Sequence, residues 1–211
     1  MAENTDLWQI ERDLTEQGIG IICGCDEAGA GPLAGPVYAA AVILPPYCQI
    51  EGLNDSKKLT EKKREALYEV ITQKAVCWAV ARMEAAEIDA TDILSARMKA
   101  MQQAMDALTI QPEIALIDGN RDKGRSAAIT TPHKLVVGGD GKSASIAAAS
   151  ILAKVSRDRF VAGELDERYP QYQFAKHKGY GTKLHYEMLG KFGPCPEHRR
   201  SFLKKWEEKR I

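Results

Sequence analysis

Short apolar runs alternate with polar, Gly- or Pro-containing segments along the chain. Apolar runs of strand length, which predict five strands, lie at 18–25, 37–44, 75–81, 113–117 and 134–137. Stretches typical of helices, several rich in Ala, Leu or Met, lie at 60–74, 91–108, 143–168, 183–192 and 196–209. Three strands in succession, followed by strand–helix alternation, predict an α/β fold with a mixed sheet flanked by helices.

Length and composition are those of an ordinary globular protein, with 211 residues, 45% hydrophobic and 27% charged. Because no repeat or linker-like segment interrupts it, the chain 1–211 is predicted to form a single domain. No window of about 18 apolar residues indicates a membrane span, and the N-terminal residues lack the pattern of a secretory signal. The five cysteines form no C-x-x-C pair. Cys23 and Cys25 are expected to be core thiols on one strand face, and a cytoplasmic location follows from this cysteine usage.

The formal net charge is zero, but the charges are unevenly distributed. Residues 170–211 contain ten Lys and Arg and four Asp and Glu, a net charge of +6 that balances −6 in the rest of the chain. A basic, helical C-terminal part beside an acidic body suits a phosphate-binding surface next to a metal site. A solvated helix face is an equally simple interpretation of the same charges.

Acidic residues stand at the ends of three predicted strands: Asp26, Asp118 and Asp140, with Glu27 next to the first. Ligands of open α/β sheets gather beyond the strand ends, so these four carboxylates are expected to converge. Individually, an aspartate after a strand is more often a turn residue, and the Asp-Gly pairs at 118 and 140 fit that interpretation as well. The recurrence at three strand ends is what favours a shared site.

A group of carboxylates with no nearby His or Cys favours Mg²⁺ or Mn²⁺ over Zn²⁺. Two such ions about 3.5–4 Å apart are the usual arrangement for phosphodiester hydrolysis. A Gly-rich segment at 29–36 follows the first acids and allows backbone N–H groups to approach a ligand. It lacks the lysine and the spacing of a phosphate-binding P-loop. The residues alone therefore favour a metal site suited to phosphodiester chemistry.

Seven short blocks of the sequence recur together in one known family. The blocks are DEAGAGPLAGP at 26–36, LNDSKKL at 53–59, LIDGN at 116–120, GD at 139–140, AAASILAKVSRD at 147–158, HKGY at 177–180 and HRRSF at 198–202. In this order they resemble the bacterial ribonuclease HII family, the type 2 ribonucleases H. The resemblance covers nearly the whole chain and implies a ribonuclease H-like fold, with a five-stranded mixed sheet flanked by helices and a helical C-terminal part.

The resemblance also implies an activity. The family cuts RNA hybridised to DNA, and single ribonucleotides embedded in DNA, on the 5′ side of the ribonucleotide, leaving a 3′-hydroxyl and a 5′-phosphate. Its acidic metal ligands fall on Asp26, Glu27, Asp118 and Asp140, which would hold two Mg²⁺ or Mn²⁺ ions. Asp158 is interpreted instead as a structural ion-pairing residue. Nucleic acid is the expected partner, for removal of ribonucleotides from DNA, and the chain is expected to act as a monomer.

Recognition of the substrate is expected at two places. By the same resemblance, backbone groups of Gly29, Ala30 and Gly31 contact the 2′-hydroxyl, the group that distinguishes RNA from DNA at one nucleotide. Tyr180 matches the aromatic residue that supports the sugar of the adjacent deoxynucleotide. Without the resemblance to the family, the simpler interpretation of this tyrosine is a partly buried aromatic residue at the surface.

Phosphate contacts are a weaker expectation. Those proposed from the loop at 53–59 are Asn54, Ser56 and Lys57, although a polar loop before a helix needs no such role. Lys154 is either a further contact or a packed stem with a solvated amine. Sequence-independent attraction of phosphates is expected from Lys176, Lys178, Lys183, Arg199 and Arg200.

One position departs from the family, because Ala30 stands where the family has arginine between two glycines. A charged hydrogen bond is worth roughly 1.5–3 kcal/mol, so its loss predicts an affinity or rate lower by on the order of tenfold to a hundredfold. The departure keeps a second hypothesis open, a nucleic-acid-binding protein without turnover. A third hypothesis is a resolvase- or transposase-like nuclease, which would cut DNA that lacks a 2′-hydroxyl.

Overall fold

The computed structural model describes residues 6–208, and the sheet that they form has five strands. The strands are β1 Ile22–Ala28, β2 Val37–Ile43, β3 Cys77–Met83, β4 Ile114–Asp118 and β5 His133–Val136. They lie in the order β3-β2-β1-β4-β5. The β1/β2 and β2/β3 pairs are antiparallel, whereas β1/β4 and β4/β5 are parallel. The predicted five-stranded mixed sheet is therefore confirmed.

Helices surround the sheet and form the C-terminal part. They are α1 Gln9–Glu16, α2 Glu61–Lys74, α3 Ala85–Ala90, α4 Ile93–Asp106, α5 Ala144–Phe160, α6 Asp166–Arg168, α7 Phe174–His177, α8 Lys183–Phe192 and α9 Arg200–Glu208. A π-helical turn, Val161–Leu165, connects α5 to α6, and 3₁₀ turns occupy Ser56–Lys58, Gly139–Gly141 and Pro170–Tyr172.

Two hydrophobic cores lie on opposite faces of the sheet because strand side chains alternate. On one face, Cys23 and Cys25 of β1 pack with the methionines of α4. On the other face, Ala40 and Val42 of β2 pack with α5 and α2. The prediction that the two cysteines are core thiols on one face is thus confirmed.

Helix α5 lies very close to β1. A Cβ added to Gly24 would come within 2.0 Å of the backbone of Ser145, so this approach requires glycine. The alanines of α5 keep its surface flat where it crosses the strand. Close packing here fixes the position of the next residues of β1, which carry the first two acids.

Most predicted elements are present, with shifted ends. Strand β1 continues beyond 25 and includes Asp26 and Glu27 instead of ending before them. Helix α2 begins as predicted, with the hydroxyl of Thr60 accepting from the backbone N–H of Lys63 at 3.3 Å. The helix predicted at 143–168 is interrupted by the π-helical turn. Helices α1, α3 and α7 were not predicted.

The last helix begins at Arg200, four residues later than predicted. The preceding residues are held by the Gly-rich segment: His198 forms a β-bridge with Ala34, and the N–H of Gly35 donates to the carbonyl of Glu197. The predicted end of this helix, Lys209, lies outside the described residues. Within residues 6–208, every helix is too short or too polar to cross a bilayer.

Candidate active site

Three aspartates from three different elements meet at one edge of the sheet. Asp26 lies in β1, Asp118 is the last residue of β4, and Asp140 lies in the 3₁₀ turn Gly139–Gly141. Because β1 and β4 are parallel neighbours in register, Asp26 and Asp118 stand side by side. Carboxylate oxygens of all three aspartates lie within 4.8 Å of one another. Residues that are far apart in sequence thus form one acidic group.

Asp140 reaches this group by a turn and not as the end of a strand. Strand β5 ends at Val136, and Gly138 then adopts a left-handed conformation with φ 64°. That turn brings the chain back toward β4, where the N–H of Gly139 donates to Oδ1 of Asp118 at 2.6 Å. The backbone after β5 therefore both delivers Asp140 and orients Asp118.

The electrostatics of the group are unfavourable without a cation. Burial, then the charges of Glu27 and Asp118, raise the pKa of Asp26 well above its ordinary value. Burial likewise raises the pKa of Asp140, aided by Asp118 and opposed by Lys57. Carboxylates that are buried and close together disfavour ionisation in this way. Oxygen donors in this arrangement fit Mg²⁺ or Mn²⁺, which would offset both the burial and the repulsion.

Lys57 is a cation that contacts this group directly. Its Nζ lies 3.2 Å from Oδ2 of Asp140, while three quarters of its side chain is exposed. Partial burial lowers the pKa of Lys57, but the charge and hydrogen bond of Asp140 outweigh that effect and raise it. An exposed, charged amine beside a group of carboxylates can also contact an anionic ligand such as a phosphate.

Glu27 does not join the aspartates. It follows Asp26 in β1, so its side chain leaves the opposite face of the strand, toward α4. There its Oε1 forms an ion pair with Nη2 of Arg97 at 2.6 Å. The structure therefore brings together three of the four predicted acids and places the fourth beside an arginine that sequence reasoning did not identify.

The Gly-rich segment 29–36 forms a loop next to the aspartates. Gly29 and Gly35 have φ of 91° and 81°, a left-handed conformation that side chains disfavour. A Cβ on Gly29 would also lie 2.0 Å from Nε of Arg157. Both conformation and space therefore require glycine at position 29.

Two buried arginines hold this loop through its carbonyl groups. Arg199 donates to the carbonyl oxygens of Gly29 at 2.7 Å, Ala30 at 3.0 Å and Gly35 at 2.8 and 3.0 Å. Its side chain is fully buried, and burial together with Arg157 lowers the pKa of Arg199 to about 9. The expectation that Arg199 attracts substrate phosphates was wrong, because its donors are used inside the protein.

Arg157 makes the second set of loop contacts. It donates to the carbonyl oxygens of Pro36 at 3.0 Å, Lys178 at 3.1 Å and Ala34 at 3.3 Å. Its helical neighbour Asp158 forms an ion pair as predicted, with Nζ of Lys154 at 2.8 Å. Sequence reasoning did not assign Arg157 a role, because nothing in its spacing shows which carbonyls it meets.

Tyr180 lies beside the same loop. The carbonyl of the preceding Gly179 accepts from the N–H of Leu33 at 2.8 Å, which links the two segments. Tyr180 is 41% exposed as a residue, and Nζ of Lys154 lies 5.7 Å from the centroid of its ring. An exposed aromatic face flanked by a cation can stack on a sugar or a base.

Of the three residues predicted to bind phosphate in the loop 53–59, the structure leaves only some exposed to a ligand. Asn54 is exposed, and its Oδ1 accepts from the N–H of Asp55 at 2.8 Å. Ser56 is buried, and its hydroxyl lies 2.7 Å from that of Ser150, so it is directed into the protein. Lys57, by contrast, has a charged group that faces both solvent and the aspartates.

A buried histidine chain supports the C-terminal side of the site. Nδ1 of His185 donates to the carbonyl of Tyr180 at 2.9 Å, and its Nε2 accepts from Nε2 of His198 at 2.9 Å. Nδ1 of His198 then accepts from the N–H of Cys195 at 3.0 Å. One proton per ring satisfies every bond, and burial lowers the pKa of His185 to about 4 and that of His198 to about 3. No local sequence pattern indicated this chain.

Comparison with known proteins identifies the family of this chain. A family model described as Ribonuclease HII matches residues 23–207. A Ribonuclease HII from Idiomarina loihiensis is 57% identical over 182 residues, covering 86% of this chain and 95% of that protein. Another from Caldicellulosiruptor bescii is 48% identical over 204 residues, covering 97% of each. The crystal structure of the ribonuclease H2 from Pyrococcus horikoshii OT3 is 25% identical, covers 90% of this chain and 98% of that chain, and gives a TM-score of 0.72.

Proposed function

The chain belongs to the ribonuclease HII family of endonucleases, and we propose that it cuts DNA at embedded ribonucleotides. The family cleaves RNA in RNA–DNA hybrids, and the similarity to the Pyrococcus horikoshii structure confirms the expected ribonuclease H-like fold. The proposed reaction is hydrolysis on the 5′ side of a ribonucleotide, in hybrids and at single ribonucleotides in duplex DNA. It leaves a 3′-hydroxyl and a 5′-phosphate. The observation that carries this proposal is the group of three aspartates beside the glycine loop.

The proposed ligands of the metal are Asp26, Asp118 and Asp140, joined by Glu27. Four carboxylates provide enough oxygen ligands for two divalent ions, Mg²⁺ or Mn²⁺. When bound, such ions supply charge that stabilises the leaving oxygen and lowers the pKa of a water molecule. The contribution of the chain is to hold the aspartates in place, through β1, β4 and the N–H of Gly139.

Selection of the ribonucleotide is assigned to the glycine loop. The carbonyls of Gly29 and Ala30 are occupied by Arg199. Among the described residues, the N–H groups of Ala30 and Gly31 have no hydrogen-bond partner. They are available to donate to a 2′-hydroxyl, the one group that a deoxynucleotide lacks. Tyr180, linked to this loop, would then support the sugar of the neighbouring deoxynucleotide.

The remaining contacts concern the phosphates. Lys57 faces both solvent and Asp140, so it is proposed to hold a phosphate next to the cleaved bond. Ala30 offers no guanidinium at the loop, and we propose that the activity is lower for that reason. All of these groups come from one chain, which supports action as a monomer.

Incision of a duplex with one ribonucleotide tests the proposal. The substrate is compared with an all-DNA duplex of the same sequence, in Mg²⁺, Mn²⁺ and EDTA, and products are mapped at nucleotide resolution. We expect a cut 5′ of the ribonucleotide with either ion, none in EDTA, and none in all-DNA. Cleavage of the all-DNA duplex would indicate a resolvase-like nuclease, and binding without any incision would indicate a protein without turnover.

A further inference from the structure

The ion pair between Glu27 and Arg97 lies outside the aspartate group and is incomplete. We propose that Arg97 is a positioning residue that competes with a divalent cation for Glu27. In the metal-free protein it holds Glu27 away from the aspartates, and with a cation bound there Glu27 turns toward them. The inference rests on the metal site of the proposed function and assigns a specific role to a residue of α4.

Strand geometry places the two acids on different sides of β1. Gly24 contacts α5, and Asp26, two residues further, faces the same way. Cys25 packs against α4, and Glu27, two residues after it, faces Arg97. Adjacent carboxylates are thereby separated in the absence of a cation, which reduces their repulsion.

The contact between Glu27 and Arg97 uses one oxygen and one nitrogen. Oε1 of Glu27 is 2.6 Å from Nη2 of Arg97, with 14% and 26% of the two side chains exposed. Oε2 of Glu27 and Nε of Arg97 are both buried and have no hydrogen-bond partner among the described residues. Arginine–carboxylate pairs usually form two parallel bonds, and buried polar atoms are usually satisfied. Because both second bonds of this pair are missing, Glu27 can exchange Arg97 for a partner that satisfies it better.

A divalent cation provides the better partner. Three aspartate oxygens already lie within 4.8 Å of one another, next to the strand position of Glu27. Without a cation, a fourth carboxylate among them would add repulsion, so the arginine is preferred. With a cation there, the free Oε2 gains a hard, doubly charged partner that suits an oxygen ligand. Breaking the contact with Arg97 is then a cost of binding the metal.

Metal binding by the full chain without nucleic acid tests this inference. The Arg97→Met variant is compared with Lys99→Met, which removes an exposed lysine of the same helix that pairs with Glu87. Mn²⁺ binding is followed by calorimetry and by the electron paramagnetic resonance signal of free Mn²⁺. We expect Arg97→Met to bind Mn²⁺ about fivefold to twentyfold more tightly, because the competing charge is gone. Lys99→Met should remain within about twofold of the unmodified chain.

A double-mutant cycle separates competition for Glu27 from a general effect of charge. If Arg97 acts through Glu27, Arg97→Met should change Mn²⁺ affinity by less than about twofold in a Glu27→Gln background. An equal gain in both backgrounds would overturn the inference, and so would an unchanged or weaker affinity of Arg97→Met alone.

Folding and activity are checked separately. If Arg97→Met does not give a native circular dichroism spectrum, Arg97→Gln, which retains length and polarity without the charge, is measured in its place and judged by the same outcomes. Incision of the ribonucleotide duplex is independent of this comparison. Normal incision with no effect of Arg97 on Mn²⁺ affinity would reject the role of Arg97 alone, whereas absence of incision would reject the proposed function.

Discussion

The aspartate group and the two arginines that hold the glycine loop are both polar and largely buried. They differ in the groups that surround their charges. Arg199 donates to carbonyls of the glycine loop, and Arg157 donates to two carbonyls of that loop and to the carbonyl of Lys178. The nearby His185 and His198 bond to each other and to backbone groups. The aspartates instead stand close together, and burial and the charges of neighbouring acids oppose the ionisation of Asp26 and Asp140. A polar network whose groups bond to one another stabilises a fold, whereas a cluster of like charges is a place for a ligand of opposite charge. This difference distinguishes the arginines and histidines, which position the loop, from the aspartates, which are proposed to take part in the reaction.

The largest effect is expected from an aspartate. Asp118→Asn should reduce cleavage by at least about a thousandfold, because a ligand oxygen is lost, while duplex binding remains measurable. In EDTA the same variant should be more stable by about 1 kcal/mol, since a repelling charge is removed. Single-turnover cleavage and thermal unfolding check the two results.

The control for that variant is Asp106→Asn, an exposed aspartate at the end of α4. It should alter neither cleavage nor stability. Normal turnover of Asp118→Asn in Mg²⁺ would remove Asp118 from the ligand set, and lower stability in EDTA would contradict the account of repulsion.

The loop support is tested by Arg199→Met. Loop carbonyls then lose their donor, and stability should fall on the order of 3 kcal/mol. Cleavage at a single ribonucleotide should fall about a hundredfold, since the loop that selects the 2′-hydroxyl is displaced. Arg199→Lys should restore part of the rate. The matched control is Arg200→Met, because the Arg200 side chain is exposed and contacts Glu207 at 3.4 Å.

For Arg199→Met, the informative measurement is how well the variant distinguishes a single ribonucleotide in DNA from a long RNA–DNA hybrid. The ratio of cleavage between a ribonucleotide duplex and a long hybrid should change, whereas a merely unstable protein would lose both activities equally. Losses in Arg200→Met that match those of Arg199→Met would show that the surface charge matters, and the buried contacts do not.

The histidine chain predicts acid sensitivity. The folded-state pKa values of His185 and His198 are about 4 and about 3, below the ordinary 6.5. The unfolded chain therefore binds more protons below pH 6.5, and the free energy of unfolding falls as the pH decreases from about 6.5 toward 4. The contribution of His185 alone should lower the free energy of unfolding by about 3 kcal/mol between pH 6.5 and pH 4.

Urea unfolding at a series of pH values measures this effect. His185→Gln should have a flatter pH dependence than the unmodified chain over the same range, even if it is less stable at pH 8. A variant with an unchanged slope would show that the chain of imidazoles is not what responds to acid.

The smallest effect is expected at the exposed ring. Tyr180→Ala should reduce cleavage at isolated ribonucleotides about tenfold, because a stacking contact is lost, and should affect long hybrids less. Tyr180→Phe should retain the activity. Equal losses on both substrates would leave Tyr180 without a role in recognising the junction.

The sequence predicted the sheet because strand-length apolar runs are local features. It did not predict α1, whose Glu11 accepts from the hydroxyl of Ser143 at 2.6 Å and the N–H of Ser145 at 3.1 Å. That buried contact joins residues more than 130 positions apart, and no local pattern indicates it. The same limit explains why α3 and α7, which are short, were missed.

At the site, the sequence predicted which residues take part better than it predicted their burial and their partners. Acids near strand ends were recognisable, and three of them meet. Arg199 and Arg200 are identical in sequence terms, yet one is fully buried and the other is exposed. The partner of Glu27 comes from a helix about 70 positions away. Which cation meets which carbonyl or carboxylate depends on tertiary packing, and a motif does not record it.

We propose above all that Asp26, Asp118 and Asp140 together hold a divalent cation. Anomalous diffraction from a crystal equilibrated with MnCl₂ tests it most directly. We expect a manganese peak about 2.0–2.5 Å from carboxylate oxygens of all three aspartates. Strong manganese peaks elsewhere on the protein, with none between these three side chains, would contradict the account.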